Sequence, residues 1–280
     1  MARYHQPGTQ ILGQGNDPSD LNERVISLDA LMVADAAIYQ MDELMSYFDV
    51  RQIYTTELGR ALAYEYDRRV ARMIYAAASN STEPLNKDGT AKPKGPADNS
   101  GRIGQKITLP AGYGSATTKQ AKGDFLVDAI FDARIALEKK DVGIDGMYAV
   151  CTPEAYYAIT QSSRAINVDF NGGGGANGTI AQGTTTRIAN IPLYSSNHVK
   201  QPSYSLVAGD HNPDYAQDLS KVEILIFNRE AVGVLTLLSP SLQLTGSELR
   251  VQYQSDLMVA RQALGMGILR AESAVAVETA

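Results

Sequence analysis

The sequence offers few side chains that could carry out catalysis. It contains one cysteine, Cys151, and three histidines, His5, His198 and His211. A cysteine nucleophile needs a neighbouring base, which His198 or His211 would supply if the fold brought one of them beside Cys151. Cys151, however, ends an apolar run, where a cysteine usually packs as a small buried hydrophobic side chain. We therefore favour a structural role for Cys151, and a cysteine-dependent hydrolase stays open as an alternative.

Two short motifs resemble ligand-binding loops. Each lacks a feature that the loop needs in order to hold its ligand. Residues 173–178 match the glycine spacing of a dinucleotide-binding loop, but no helical pattern follows to hold a pyrophosphate. Residues 210–214 resemble the start of a calcium-binding loop, yet Tyr215 and Lys221 stand where that loop needs glycine and glutamate. The histidines are isolated from one another, so no zinc site is predicted. We expect no cofactor, no metal and no enzymatic activity.

The most regular predicted element is a long helix over residues 50–78. Apolar residues recur there at helical spacing, and the stretch contains no proline and a single glycine, Gly59. Such a helix would extend roughly 43 Å at about 1.5 Å per residue. This is longer than a compact domain of this size requires. The pattern therefore indicates a strut across a flat subunit, and favours architecture over chemistry.

The rest of the chain mixes predicted helices and strands with two polar segments. Residues 1–24 and 79–123 are rich in glycine, proline and polar residues, and they cannot form a core of their own. We expect an N-cap at Thr152 with Pro153 in the first helical turn. The remaining predicted helices cover 42–47, 124–140 and 153–160, and the predicted strands cover 25–28, 147–151, 187–194, 204–208, 222–227, 232–238 and 249–263. The predicted fold class is α+β.

The composition excludes several classes of protein. The chain has 280 residues, of which 44% are hydrophobic, and its formal net charge is −6. A protein that grips nucleic acid through its phosphates needs an excess of lysine and arginine, whereas enclosing nucleic acid does not. No signal-peptide pattern is present, and no apolar run reaches the roughly 20 residues of a transmembrane helix. We expect synthesis in a cytoplasm and no membrane partner.

An ordered set of motifs resembles one family of proteins along nearly the whole chain. The two ends of the set are IYQMDELM at 38–45 with YFDVRQIYTTELG at 47–59, and GMGILRAESA at 265–274. Between them lie YAVCTPEAYY at 148–157, IANIPLY at 188–194, LVAGD at 206–210 and FNR at 227–229. The set resembles the major capsid proteins of short-tailed, T-odd-type phages (podoviruses), which have the Hong Kong 97-type capsid fold.

The resemblance implies a flat subunit with an extended loop, a spine helix and two domains. Residues 1–30 would form an extended arm or loop that lies across the next subunit. A peripheral domain would comprise residues 31–143 and 231–280, with the spine helix at about 42–78. A central, axial domain would comprise residues 144–230.

The resemblance also implies a function and partners. The chain would be a major capsid protein that assembles through hexamers and pentamers into an icosahedral head around double-stranded DNA. Its partners would be copies of itself, a scaffolding protein and a portal protein, with assembly in the host cytoplasm and a final location in the virion. An encapsulin-like compartment shell and a tail or tube component remain alternatives.

We select interface residues from the arm, the spine helix and the glycine-rich loop. Charge reversal at Arg51 or Arg69 is expected to impair shell formation more than subunit folding. The subunit-interface candidates are Arg3, Tyr4, His5, Pro7, Asp49, Arg51, Tyr54, Arg60, Glu65 and Arg69, and the axial-loop candidates are Gly172, Gly173, Gly174 and Gly175.

Overall fold

The structure, a computed structural model, combines helices and sheets as the sequence predicts. It describes residues 25–47, 49–82, 102–143, 145–162, 178–179, 184–185, 187–245, 251 and 253–280. Within these residues the helices are α1 Gln40–Met45, α2 Val50–Ser79, α3 Ala111–Ser115, α4 Lys119–Lys139 and α5 Pro153–Thr160. The strands are β1 Met32–Tyr39, β2 Gln105–Thr108, β3 Met147–Cys151, β4 Gly178–Thr179, β5 Thr184–Thr185, β6 Arg187–Ile188, β7 Ile191–Ser195, β8 Val222–Asn228, β9 Val232–Leu244, β10 Ser255–Ile268 and β11 Ala274–Glu278.

The predicted long helix is confirmed. α2 has 30 residues, and the carboxylate of Asp49 accepts a hydrogen bond from the Gln52 amide at 3.3 Å to cap its N-terminus. The start of α5 is also as predicted, because the Thr152 hydroxyl accepts from the Ala155 amide at 3.2 Å and Pro153 occupies the first turn. Local capping chemistry therefore sets both helix starts.

Some predicted boundaries are wrong, for local reasons. α4 begins at Lys119, earlier than predicted, because the Thr118 hydroxyl caps it by accepting from the Ala121 amide. Residues 25–28 and 204–208 form no strand. In the second case the Asp210 carboxylate accepts from the Tyr204 hydroxyl at 2.7 Å and the Val207 amide at 3.1 Å, which folds the segment into a turn.

A six-stranded sheet forms the centre of the main core. Its strand order is β2-β11-β8-β3-β7-β6, and β8 is buried on both faces. Helices α4 and α5 pack on one face, where Ile130 and Ile159 meet Ile224 and Ile226. The second half of α2 covers the other face and packs Ile74 against Leu225. The sheet is therefore a middle layer between helices.

A three-stranded sheet of order β1-β10-β9 lies under the first half of α2. Leu58 and Leu62 of α2 pack there against Ile38, Met258 and Ala260. α2 thus joins two sheets, with one narrow buried stripe in its first half and nearly continuous burial from Arg69 to Ala78 in its second.

The hydrophobic core crosses the domain boundaries suggested by the sequence. α4, β2 and β11 lie outside residues 144–230, yet their apolar side chains share one core with β3, β7 and β8. β11 pairs directly with β8, through Ala276 opposite Leu225. The predicted division between a peripheral and an axial domain therefore stays a prediction, and it does not follow the limits of this core.

Residues 25–30, which we call the strap, lie on the chain's own β10. The Asp29 amide donates to the Leu264 carbonyl at 3.0 Å. A Cβ atom at Gly265 would lie 2.2 Å from the Ser27 carbonyl oxygen, so only glycine leaves room for the strap here. Part of the predicted arm is thus anchored within its own subunit, while residues 1–24 lie outside the described residues.

Candidate assembly surface

Several predicted site residues lie outside the described part of the chain. They are Arg3, Tyr4, His5 and Pro7 of the arm, and Gly172, Gly173, Gly174 and Gly175 of the glycine-rich loop. The other candidates all lie on α2 or at its N-cap, and the structure divides them into buried and exposed residues.

Arg69 is a buried residue with several partners in its own chain. Its guanidinium lies 2.8 Å from the Asp210 carboxylate, 3.1 Å from Asp29 and 3.4 Å from Glu65, and its side chain is only 11% exposed. The Tyr215 hydroxyl donates to Asp29 at 2.7 Å. We call these five residues the Arg69 cluster. It ties the strap to the middle of α2 and to the loop before β8.

The electrostatics of the Arg69 cluster keep its cation charged. Burial alone would lower the pKa of Arg69, but the charges of Asp210 and Asp29 outweigh it, and the net direction is upward. Burial, followed by the hydrogen bond to Asp29, raises the pKa of the Tyr215 hydroxyl. The cluster therefore has a charged arginine and a neutral tyrosine, and it contributes to the subunit's own fold.

Arg51 also has partners within its chain. Its guanidinium lies 2.5 Å from Glu43 of α1 and 2.6 Å from Asp256 of β10. The hydrogen bond from Arg51 lowers the pKa of the Glu43 carboxyl. Arg51 therefore fixes the position of α1 against α2 and β10, while part of its side chain stays accessible.

Three of the four remaining candidates lie at the N-cap of α2 or on its exposed side. Asp49 caps the helix, Tyr54 is 42% exposed, and Arg60 pairs with Glu57 where both side chains are largely in solvent. Glu65 is half-buried and contacts Arg69 and Arg72. Asp49, Tyr54 and Arg60 thus remain accessible to a neighbouring subunit.

Sequence reasoning missed a larger apolar surface beside these residues. No residue of α1 is buried, and its apolar side chains, such as Leu44 at 82% exposure, face solvent. A concentration of large exposed apolar side chains in one short segment indicates a site of protein association. The sequence contained a signal for this surface. The six-residue helix α1 has three large apolar side chains, which is more than one buried face of so short a helix would hold. We define the α1–α2 surface as Met41, Leu44, Met45, Tyr47, Ile53 and Tyr54.

The candidate nucleophile is sealed in the core. Cys151 is fully buried, and burial, with a smaller effect of the Glu223 charge, raises the pKa of its thiol to about 12. His198 packs its ring against Tyr64, and the His211 ring nitrogen lies 2.6 Å from the Leu28 carbonyl. Both histidines therefore have structural contacts elsewhere.

We expect Cys151 to resist alkylation in the folded protein at pH 8. Its pKa lies well above that pH in the folded state, whereas an unfolded thiol has a pKa near 8.5 and is partly ionised. Iodoacetamide labelling followed by intact mass should show little modification of the native chain and complete modification in denaturant. Rapid labelling of the native chain would contradict the burial and reopen the hydrolase alternative.

The acidic turn that resembled a calcium loop is occupied by internal contacts. Asp210 binds Arg69, and the side-chain amide of Asn212 donates to the Met266 carbonyl at 2.7 Å.

Among the described residues, no cluster of three or more histidine, cysteine or acidic side chains is arranged to hold a metal ion. In the same part of the chain, no helix has the length and apolar character needed to cross a bilayer.

Comparison with known proteins identifies the family. The model of the Gp10A-like major capsid proteins matches residues 1–278. The chain is 28% identical to the major capsid protein of Escherichia phage T7, over 99% of this chain and 79% of the relative. It is 26% identical to the major capsid protein of Enterobacteria phage T3, over 99% of this chain and 78% of the relative.

Solved structures agree with the sequence relatives. The capsid of cyanophage P-SCSP1u is similar with a TM-score of 0.79 and 31% identity, covering 100% of this chain and 80% of that one. The mature capsid of bacteriophage PhiM1 is similar in fold, with a TM-score of 0.71 and 14% identity, covering 100% of this chain and 78% of that one. The predicted Hong Kong 97-type fold is thereby confirmed. The chain belongs to the Gp10A-like family of major capsid proteins and is a structural component of the phage capsid shell.

Proposed function

We propose that this chain forms hexamers and pentamers that close into an icosahedral head around double-stranded DNA. The observation that carries the proposal is the α1–α2 surface, which a solitary subunit leaves uncovered although it is rich in large apolar side chains. Copies of a capsid protein assemble with one another, so a neighbouring copy is the natural cover for this surface. Asp49, Tyr54 and Arg60 would lie within or beside that contact.

The subunit's internal contacts suit it to act as a rigid tile. The 30 residues of α2 extend roughly 45 Å at about 1.5 Å per residue. The Arg69 cluster and the Arg51 bridges hold the strap, α1 and β10 against this helix. A tile of fixed shape can bind several neighbours at once through modest contacts that are multiplied over a closed shell.

The other partners follow from the same role. A scaffolding protein would guide assembly in the host cytoplasm, and a portal protein would occupy one vertex. The net charge of −6 supports enclosure of DNA without a grip on its phosphates. Residues 144–230 would form the axial domain, and residues 31–143 and 231–280 the peripheral domain. We propose no catalytic turnover.

Expression of the chain with and without a scaffolding protein tests this function. Electron microscopy should show closed particles of uniform diameter, and Leu44→Asp should abolish them. Because Leu44 is exposed, this variant should change the free energy of unfolding of the separate subunit by no more than about 0.5 kcal/mol. Open tubes would point to a tail or tube component. Normal particles from the variant would remove the α1–α2 surface from the contact.

A further inference from the structure

The methionines of this chain differ sharply in their exposure. Those that the structure describes fall into a buried group, one half-buried residue and a largely exposed pair. The exposed pair is Met41 at 66% and Met45 at 69%, both on α1, and the half-buried residue is Met32 of β1. The buried group consists of Met73, Met147, Met258 and Met266. The accessible thioether sulfurs of the described chain are therefore concentrated in the α1–α2 surface.

The salt bridge of α1 sets the direction of the exposed pair. The Arg51 guanidinium binds the Glu43 carboxylate at 2.5 and 2.9 Å, so this face of α1 is held against α2. Each residue of an α-helix turns by about 100°, and Met41 and Met45 thus point roughly 160° away from Glu43 and lie about 40° apart. The face of α1 opposite the salt bridge presents both sulfurs side by side to solvent.

An exposed thioether reacts with hydrogen peroxide without help from other side chains. A lone pair of the sulfur attacks one peroxide oxygen, the S–O bond forms as the O–O bond breaks, and proton transfer releases water. The sulfur is oxidised and the peroxide is reduced, so no further reactant is needed. The product is methionine sulfoxide, which is polar and which methionine sulfoxide reductases return to the thioether.

This oxidation would change the surface that a neighbouring copy covers. Methionine contributes adaptable apolar contact area to an interface. A sulfoxide oxygen is a strong hydrogen-bond acceptor, and it would have to lose its water to enter an apolar contact. Two such oxygens on one face of α1 would therefore oppose association of the subunits.

We infer that Met41 and Met45 form a redox-sensitive modification site, at which oxidation by peroxide blocks assembly until the sulfoxides are reduced. The inference rests on the proposed shell function, since it requires that a neighbouring copy covers the α1–α2 surface. The same cover would protect the pair once the shell has formed. Oxidation would thus act on free subunits, and finished particles would resist it.

Peroxide treatment of the separate subunit tests this site. Treated subunits are freed of peroxide with catalase and mixed with scaffolding protein, closed particles are counted by electron microscopy, and peptide mass spectrometry locates the added oxygen. Met41 and Met45 should be oxidised at least roughly tenfold faster than Met73 and Met266, because the exposed sulfurs meet peroxide first. The yield of closed particles should fall roughly tenfold or more, since a weaker contact on every subunit is multiplied over the shell. Subsequent treatment with methionine sulfoxide reductase should restore the yield.

Two variants assign the effect to the exposed pair. The double variant Met41→Leu with Met45→Leu removes both sulfurs and nearly conserves the apolar volume. Met32→Leu is the matched control, because Met32 is outside the α1–α2 surface. Each chain is compared with its own untreated sample. Peroxide should leave the yield of the double variant unchanged and should lower that of Met32→Leu as it does in the parent chain. A double variant as sensitive as the parent would overturn the inference.

The outcomes separate this inference from the shell function. Failure of the untreated parent chain to form particles would contradict the shell function itself. Normal particles from subunits in which Met41 and Met45 are fully oxidised would overturn only the redox inference. Circular dichroism should show that treated subunits keep their fold, and loss of the helical signal would overturn the inference, because the damage would then lie in the core.

The parent chain alone remains decisive if the double variant forms no particles. Failure of the reductase to restore the yield that peroxide removed would overturn the inference. In assembled particles, Met41 and Met45 should be oxidised at least roughly tenfold more slowly than in the separate subunit, because a neighbouring copy shields them. Equal rates in particles and subunits would contradict the proposed cover.

Discussion

Arg69→Met should lower the free energy of unfolding of the subunit by about 3–5 kcal/mol, the usual cost of removing one partner from a buried ion pair. The methionine would leave the carboxylates of Asp29 and Asp210 in the core without their cation, and both are almost fully buried. Urea unfolding of the separate subunit, followed by circular dichroism, measures the change. The expected defect is in folding, whereas the sequence alone suggested a defect in assembly.

Arg60→Met on the same helix is the matched control. Arg60 forms a salt bridge with Glu57 in which both side chains are largely exposed, and such pairs are worth about 0–1 kcal/mol. Equal free energies of unfolding for the two variants would show that the buried Arg69 cluster stabilises the subunit no more than the exposed pair does. A fully stable Arg69→Met subunit that cannot assemble would restore Arg69 as an interface residue.

Gly265→Ala should detach the strap from β10. The added Cβ would lie 2.2 Å from the Ser27 carbonyl oxygen and 3.0 Å from the Leu28 Cα, so the strap must move. Overpacking of this kind costs about 1–3 kcal/mol, and movement of the strap also weakens the contact between Asp29 and Arg69. The amide of Asp29 should then exchange with deuterium much faster than in the parent chain.

Gly59→Ala provides the comparison for the glycine change. No heavy atom lies within 4 Å of a Cβ placed at Gly59, which is in the exposed first half of α2. Alanine there should raise stability by up to about 1 kcal/mol, because glycine weakens a helix interior. Slow deuterium exchange at the Asp29 amide in the Gly265→Ala variant would mean that the close approach of the strap to Gly265 does not hold the strap in place.

The sequence was informative where structure depends on local pattern. The apolar repeat of α2 and the capping signal of Thr152 with Pro153 are local patterns, so these two helices could be read directly from the sequence. The fold family could be read because its motifs occur in order along the chain. The α4 start was misplaced because the residues from Lys119 to Gly123 carry little apolar pattern, although Thr118 offered a capping signal.

The contacts of individual side chains depend on distant parts of the chain, and here the sequence was insufficient. Arg69 lies off the main apolar stripe of α2, which is typical of an exposed charge. Its partners Asp29 and Asp210 come from segments that only the tertiary fold brings to α2. The position of β9 at the end of its sheet order cannot be read from the sequence either, since it depends on which strands pair. Residues 204–208 show the converse, because one carboxylate at Asp210 overrides a strand-like pattern.

The sealed position of Cys151 has a practical consequence. A chain whose native sulfhydryl is shielded can receive a new cysteine at an accessible position, and that residue alone would react with a maleimide dye or drug. Every copy in the particle would then carry one conjugate at a chosen place, without prior removal of the natural residue. The phage shell would thus become a nanoscale carrier with defined stoichiometry.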